Sequence, residues 1–267
     1  MITFFLLLFV LALGVSAIGW ARFVWFFSVG YGYSITALSV ATAIIAWPTL
    51  TWISGLLLLL LAFYGVRLST YLLVRELKNR AYVKTVDLDV KHKADYPIGV
   101  VIAVWVSCAL LYVGEMTPAV VRAVAADVTV AQGTGLVGLI IAALGVAIEA
   151  IADKQKNNAK KLNPKRFVDS GLYKIVRCPN YFGEIMLWTG VFVSGIGCYQ
   201  SWWHWALALL GYIGIVYVMF SGTRRIELRQ TANYGNDPEF QEYIRKTPIL
   251  LPCVPIYSVA KYQWLKG

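Results

Sequence analysis

Charge is scarce in this 267-residue chain: Asp, Glu, Lys and Arg together make up 14% of it, against roughly a quarter in a soluble domain. Hydrophobic residues make up 59% and the mean hydropathy is +0.64. An ordinary soluble domain is thereby excluded. Histidine is also rare. His92 and His204 lie far apart, which argues against a His-based metal site, and no metal is expected. Cys108, Cys178, Cys198 and Cys253 have neither metal-ligand spacing nor the pattern of a secreted disulfide scaffold. They read as free thiols or apolar filler. There is no Gly-rich dinucleotide fingerprint, no Walker sequence and no HExxH, and no Ser or Cys nucleophile stands with a convincing base. Cys178 beside Arg177 leaves a reactive thiol open, although a Cys–Pro at a helix start needs no such role. No basic residue precedes the first apolar run, "MITFFLLLFVLALGVSAIGWARF", so it reads as an uncleaved span and not as a signal peptide.

What the chain has instead is apolar length. Windows of about 20 apolar residues mark membrane-spanning helices. Seven are expected, near 2–21, 24–47, 50–74, 97–117, 133–153, 180–200 and 203–223, with Pro48, Pro97, Pro118 and Pro179 punctuating their ends. The fold class expected is therefore an all-α polytopic membrane protein, in a bacterial inner membrane or an endoplasmic reticulum. Basic residues follow the third span (Arg75, Lys78, Arg80, Lys84, Lys91, Lys93), the fifth (Lys154 to Arg177) and the seventh (Arg224, Arg225, Arg229, Arg245, Lys246). The second and sixth loops carry none, the first only Arg22 and the fourth only Arg122. By the positive-inside rule the N-terminus is out and the C-terminus cytosolic. The net charge of +10 then sits on one face, where it meets anionic lipid headgroups or a phosphate-rich ligand. Nucleic acid is not an expected partner, because that needs a basic surface clear of the membrane. The ending "PEFQEYIRKTPILLPCVPIYSVAKYQWLKG" reads as a tail packed on the bundle and not as an eighth span.

A charge inside a span costs about 2.5–3.5 kcal/mol on translocon scales, so the polar residues in or beside these spans matter. In "FYGVRLSTYLLVRE", Tyr64, Arg67, Tyr71 and Arg75 recur at spacings of three and four and form one helical stripe. They serve either a site or a snorkelling, interface-facing edge. In "GVAIEAIADKQKNNAKK", Glu149 and Asp153 lie one turn apart, with Lys154, Lys156, Lys160 and Lys161 following. The acids either pair with these lysines or accept hydrogen bonds from ligand hydroxyls or an amide. Amid that positive charge they stay ionised. In "VRCPNYFGE", a helix starting near Pro179 puts Asn180, Tyr181 and Glu184 in its first turns. Unsatisfied N–H groups and the positive dipole end there suit an anion, and Arg177 adds charge. Glu184 is a ligand acceptor, an orienter of Arg177 or simply a complement to the dipole.

These residues carry a resemblance. "FVDSGLYKIVRCPNYFGEIMLWTG" and the tail "FQEYIRKTPILLP" resemble the signature of the membrane steroid 5-alpha-reductase-like family, strongly over residues 145–252 and weakly over the first hundred. The resemblance implies a seven-helix fold that binds NADPH in a cytosol-facing cavity and delivers hydride to the C=C bond of an apolar, lipid-like enone drawn from the bilayer. It implies a single membrane domain, with 1–130 on the substrate side and 131–267 holding the cofactor. Cofactor-binding positions carried over are Arg177, Asn180, Tyr181 and Glu184, with Glu149, Asp153 and Lys160 in the fifth helix and Arg224, Arg225 and Glu227 in the last. Tyr64 and Arg67 match catalytic positions, Tyr64 as proton donor or polariser of the carbonyl. Two departures stand out. Steroid-reducing members carry a Gln–Glu pair ahead of the third helix, and here the first seventy residues hold neither residue. Cys178 replaces the usual His of the Arg–His–Pro–Asn signature.

The runner-up is a membrane methyltransferase of the isoprenylcysteine carboxyl type using S-adenosylmethionine, which shares a similar Gly–x–Tyr–x–x–Val–Arg–x–Pro core. "NYFGE" with Trp188 and the Arg–x–Thr tail lean towards the reductases. A transporter or lipid scaffold would show inverted repeats with broken helices, and none is visible.

Overall fold

The computed structural model describes residues 1–78, 96–125 and 131–265. Eight α-helices lie in them: α1 Ile2–Ser16, α2 Val29–Ile45, α3 Trp52–Lys78, α4 Ile98–Val124, α5 Gln132–Leu162, α6 Pro179–Gly195, α7 Trp202–Tyr234 and α8 Pro238–Lys246. Short 3₁₀ turns join several of them, and there is no strand among the described residues. Six segments are long and apolar enough to cross a bilayer: Ile2–Trp20, Phe23–Ile45, Trp52–Leu77, Ile98–Val124, Gln132–Leu162 and Trp202–Tyr234. The chain is an integral, multi-pass, all-helical membrane protein. The sixth expected span, 180–200, folds as the 17-residue α6, about 26 Å long at 1.5 Å per residue. That is the short end of the roughly 17–25 residues of a span, and α6 is not among the six long apolar segments. Of the basic loop expected after the third span, Arg80, Lys84, Lys91 and Lys93 lie outside the described residues.

The chain forms two compact units, Met1–Leu139 with Val191–Tyr212 and Ile140–Gly190 with Ile213–Gly267. Helices α5, α6 and α7 each contribute to both. The 31 residues of α5 and 33 of α7 run beyond any apolar window. At about 46 and 50 Å they exceed the roughly 30 Å hydrocarbon core.

In the first unit, small residues let helices touch backbone to backbone, as membrane helices do where apolar side chains bring no advantage over lipid. A Cβ on Gly65 of α3 would lie 2.2 Å from the Gly32 carbonyl of α2, and one on Gly211 of α7 would lie 2.2 Å from Gly114 of α4. The Thr36 hydroxyl is within hydrogen-bonding reach of both the Gly32 and Ala62 carbonyls (3.1 and 3.2 Å), and Ser69 donates to Val29 across the same pair of helices (2.8 Å). Pro118 was expected to end the fourth span, yet α4 continues through it to Val124. A proline inside a spanning helix is tolerated where neighbours re-satisfy the freed backbone. Arg122 therefore sits in the helix and not in a loop. It is fully buried, its Nη1 donating to the Ala131 and Ser194 carbonyls at 2.9 Å each.

In the second unit, Tyr173, Val168 and Ala152 form a core under Ala159 and Leu172. Phe167 stacks on Tyr243 at 5.4 Å and meets Phe240 edge-on at 5.2 Å, which fixes α8. That short helix starts correctly for its chemistry. Asp237 accepts from the Glu239 N–H at 2.9 Å, Pro238 occupies the first turn, and Arg245 and Lys246 stand at the negative end. The tail beyond Ile249 is irregular and strapped to α7. Tyr217 donates to the Trp264 carbonyl (2.9 Å) and Arg224 Nε to that of Ala260 (3.1 Å).

Candidate functional site

Gly183 decides the geometry of the candidate site. A Cβ there would lie 2.7 Å from the Glu149 nitrogen and 2.7 Å from the Gly145 carbonyl oxygen, and one on Gly145 would lie 2.4 Å from the Leu187 nitrogen. Helices α5 and α6 thus cross in backbone contact, with Glu149 and Glu184 flanking the crossing point. On the other side of α6, a Cβ on Gly222 of α7 would meet the Tyr181 ring at 2.9 Å. The first turns of α6 are held between α5 and α7 within the second unit.

Burial concentrates charge at this junction. Glu149 is 3% exposed, Glu184 6%, Asp153 9%, Arg177 3% and Glu227 6%. Ionised groups are costly to bury unless paired or hydrogen-bonded. Arg177 and Glu227 meet that cost with each other at 3.4 Å and with the tail: Arg177 donates to the Tyr257 carbonyl, and Glu227 accepts from the Val259 N–H at 2.8 Å. The backbone N–H groups of Arg177 and Cys178 donate to the Pro248 and Ile249 carbonyls at 2.9 and 3.0 Å. The strand-like approach to α6 is therefore fixed before the helix begins. Cys178 is buried beside Lys156, Arg177, Thr223 and Glu227. Burial pushes its thiol up to about 11, and the opposing pull of Lys156, Arg177 and the Thr223 hydrogen bond does not overcome it. Burial thus favours the protonated, unreactive form of Cys178.

The other carried-over residues fall around this core. Asn180 and Tyr181 are half-buried in the first turn of α6; Arg225 is exposed and Arg224 half-buried. Lys160 is a brace. Its Nζ donates to the Pro164 and Arg166 carbonyls (3.2 and 2.6 Å) and to the Tyr234 hydroxyl (2.8 Å), tying the end of α5 to the end of α7. Tyr64 and Arg67 belong to the first unit. Tyr64 is fully buried and its hydroxyl donates to that of Tyr31 at 3.3 Å. Tyr31 packs against Tyr112 at 5.3 Å, and Tyr112 donates to the Phe26 carbonyl. Arg67 and Tyr71 are half-buried along the α3 stripe, and the Arg75 guanidinium lies 5.6 Å over the Tyr71 ring.

Sequence reasoning missed Tyr31, Tyr112 and Thr223. "GYGYS" carried a signal for the first of these: a tyrosine between glycines on an apolar helix has small neighbours that allow a close helix approach.

The chemistry of the donor set fits a phosphorylated dinucleotide. The carboxyl groups of Glu149, Asp153 and Glu184 are buried, and carboxylates are the acceptors that sugar hydroxyls and amides call for. Half-buried Lys156, exposed Arg225 and the helix start offer positive charge to phosphates.

Comparison with known proteins bears on the family. A 57-residue stretch is 42% identical to steroid 5-alpha-reductase DET2 of Gossypium hirsutum, covering 21% of this chain and 22% of that protein. The chain thus matches about a fifth of that relative's length. No solved structure matches. Residues 16–247 match a family described as a protein of unknown function, DUF1295. That match takes in all but the two ends, and the chain belongs to DUF1295, the steroid 5-alpha-reductase-like family.

Proposed function

We propose that the protein is a membrane reductase that uses NADPH to reduce the C=C bond of an apolar enone taken from the bilayer. The observation that carries this reading is the junction of α5, α6 and α7, where Glu149, Asp153 and Glu184 are buried on two touching helices and Arg177 is buried just ahead of α6. In this reading Glu149, Asp153 and Glu184 accept hydrogen bonds from the hydroxyls and amide of the dinucleotide, with Asn180 and Tyr181 beside them. Arg225 and Lys156 balance phosphate charge. Arg177, Glu227, Arg224 and Lys160 hold the walls of the site in place through the contacts described above. NADPH, when bound, supplies the hydride. Reduction of an enone builds negative charge on the substrate oxygen, and the Tyr64 hydroxyl stabilises it by turning its hydrogen from the Tyr31 oxygen to the substrate. Tyr31 orients that phenol, and Arg67 adds positive charge on the same helix. Without the Gln–Glu pair, the grip on the carbonyl rests on phenols, and enones other than steroids fit the reading equally. The seven-span topology with the N-terminus out and the C-terminus cytosolic belongs to the same proposal, since it puts the basic loops on the side where NADPH is found.

The test is ligand discrimination by the purified protein. NADPH is expected to raise the melting temperature and quench tryptophan fluorescence, while S-adenosylmethionine does neither. A response to S-adenosylmethionine alone would make the protein a methyltransferase. A response to neither would leave a transporter or lipid scaffold.

A further inference from the structure

The first unit holds a polar cluster of its own at the start of α7. Thr3, Gln200, Ser201, Trp203 and His204 are among the residues that line a cavity of about 500 Å³. His204 is 3% exposed. The Gln200 backbone N–H donates to its Nδ1 at 3.3 Å. A ring nitrogen that accepts carries no hydrogen, so in the neutral imidazole the hydrogen is on Nε2. Among the described residues, Nε2 has no hydrogen-bond partner. A buried N–H without an acceptor is a state that folded proteins seldom leave unmet.

The surroundings define what would meet it. The cavity opens at the N-terminus of a 33-residue helix, where leading N–H groups and the dipole favour negative charge. No carboxylate is among the described residues that line it. Trp202 is 81% exposed and Trp205 is exposed as well, and tryptophans at the end of a span mark the bilayer–water boundary. Exposed Leu6, Leu7 and Val10 on α1 and Leu209 and Leu210 on α7 provide apolar surface suited to acyl chains. A ligand with an anionic acceptor head and an apolar body answers all four features.

We infer that this cavity is a phospholipid headgroup site in which His204 Nε2 donates to a phosphodiester oxygen, with the Ser201 and Thr3 hydroxyls as further donors. The site does not depend on the reductase reading, and its loss leaves the dinucleotide junction intact.

Native mass spectrometry of the protein released from phospholipid nanodiscs tests the inference. The wild-type chain is expected to retain one phospholipid. His204→Phe keeps a ring of similar size and removes the donor, and should lower retention at least about fivefold. His204→Gln restores an N–H and should recover most of it. If His204→Phe fails to fold, Ser201→Ala with Thr3→Val is expected to reduce retention about two- to threefold. Equal retention in wild type and variants, or none in wild type, overturns the inference. So does a rise in wild-type melting temperature with inorganic phosphate alone that His204→Phe abolishes, because the site would then serve a free anion.

Discussion

Gly183→Ala is the substitution that most sharply probes the α5–α6 crossing. In an unobstructed helix, Gly to Ala is stabilising by about 1 kcal/mol. Here the new Cβ would lie 2.7 Å from both the Glu149 nitrogen and the Gly145 oxygen, and 3.1 Å from the Glu149 Cα. Ordinary contact begins at 3.4 Å, and the obstructing atoms are backbone, so no side chain can turn away. The helices must part by the better part of an ångström. Overpacking of this kind costs about 1–3 kcal/mol, which exceeds the helix-propensity gain. The separation also moves Glu149 away from Glu184, so ligand affinity should fall further than stability. Thermal denaturation in detergent is expected to show a drop of roughly 2–4 °C per kcal/mol, with NADPH affinity by fluorescence quenching down about tenfold or more. Gly145→Ala, with its Cβ 2.4 Å from the Leu187 nitrogen, should be worse. Gly14→Ala in α1 has nothing within 4 Å and should be neutral or stabilising. If Gly183→Ala matched Gly14→Ala in both assays, the crossing would not be what organises the site.

Arg177→Met leaves Glu227 buried without its cation and should lower stability by about 3–5 kcal/mol. Because both side chains also hold the tail, limited proteolysis should cut after Lys261 faster than in wild type. Tyr64→Phe should lower kcat about a hundredfold with an apolar enone as probe while leaving NADPH affinity within about twofold, and Tyr31→Phe should have a smaller effect in the same direction. Cysteine labelling at pH 8 should modify Cys253 alone, since Cys108, Cys178 and Cys198 are buried, and all four after denaturation. Cys178 also gives stability a pH dependence. Its thiol is held up at about 11 in the fold against 9.0 for the ordinary thiol. The unfolded chain therefore loses its proton first, and the contribution of this residue declines as pH rises from about 9 to about 11.

Hydropathy made most of the helices legible because a bilayer imposes one solvent on some twenty consecutive residues. It misjudged where helices end, because helix geometry continues where apolar composition stops. Lys160 and Arg225 lie inside helices although their neighbours are charged, and Arg122 follows a proline that does not break α4. The start of α6 was legible from local chemistry, with Pro179 at its first position. The pairing of Arg177 with Glu227 was not, since 50 positions separate them. Nor were the tail contacts, which use backbone carbonyls that leave no mark on residue identity. The touching pair Gly145 and Gly183 shows the same limit: a glycine marks a possible approach without naming what approaches.

The most direct test of the central claim is the NADPH dissociation constant of the wild-type protein and of Glu184→Gln, measured side by side with circular dichroism. Removing the charge of one buried acceptor, worth about 1.5–3 kcal/mol, should weaken NADPH roughly 10- to 150-fold with the helical spectrum unchanged. Unaltered affinity in a folded Glu184→Gln protein would contradict the assignment of the α5–α6–α7 junction as the dinucleotide site.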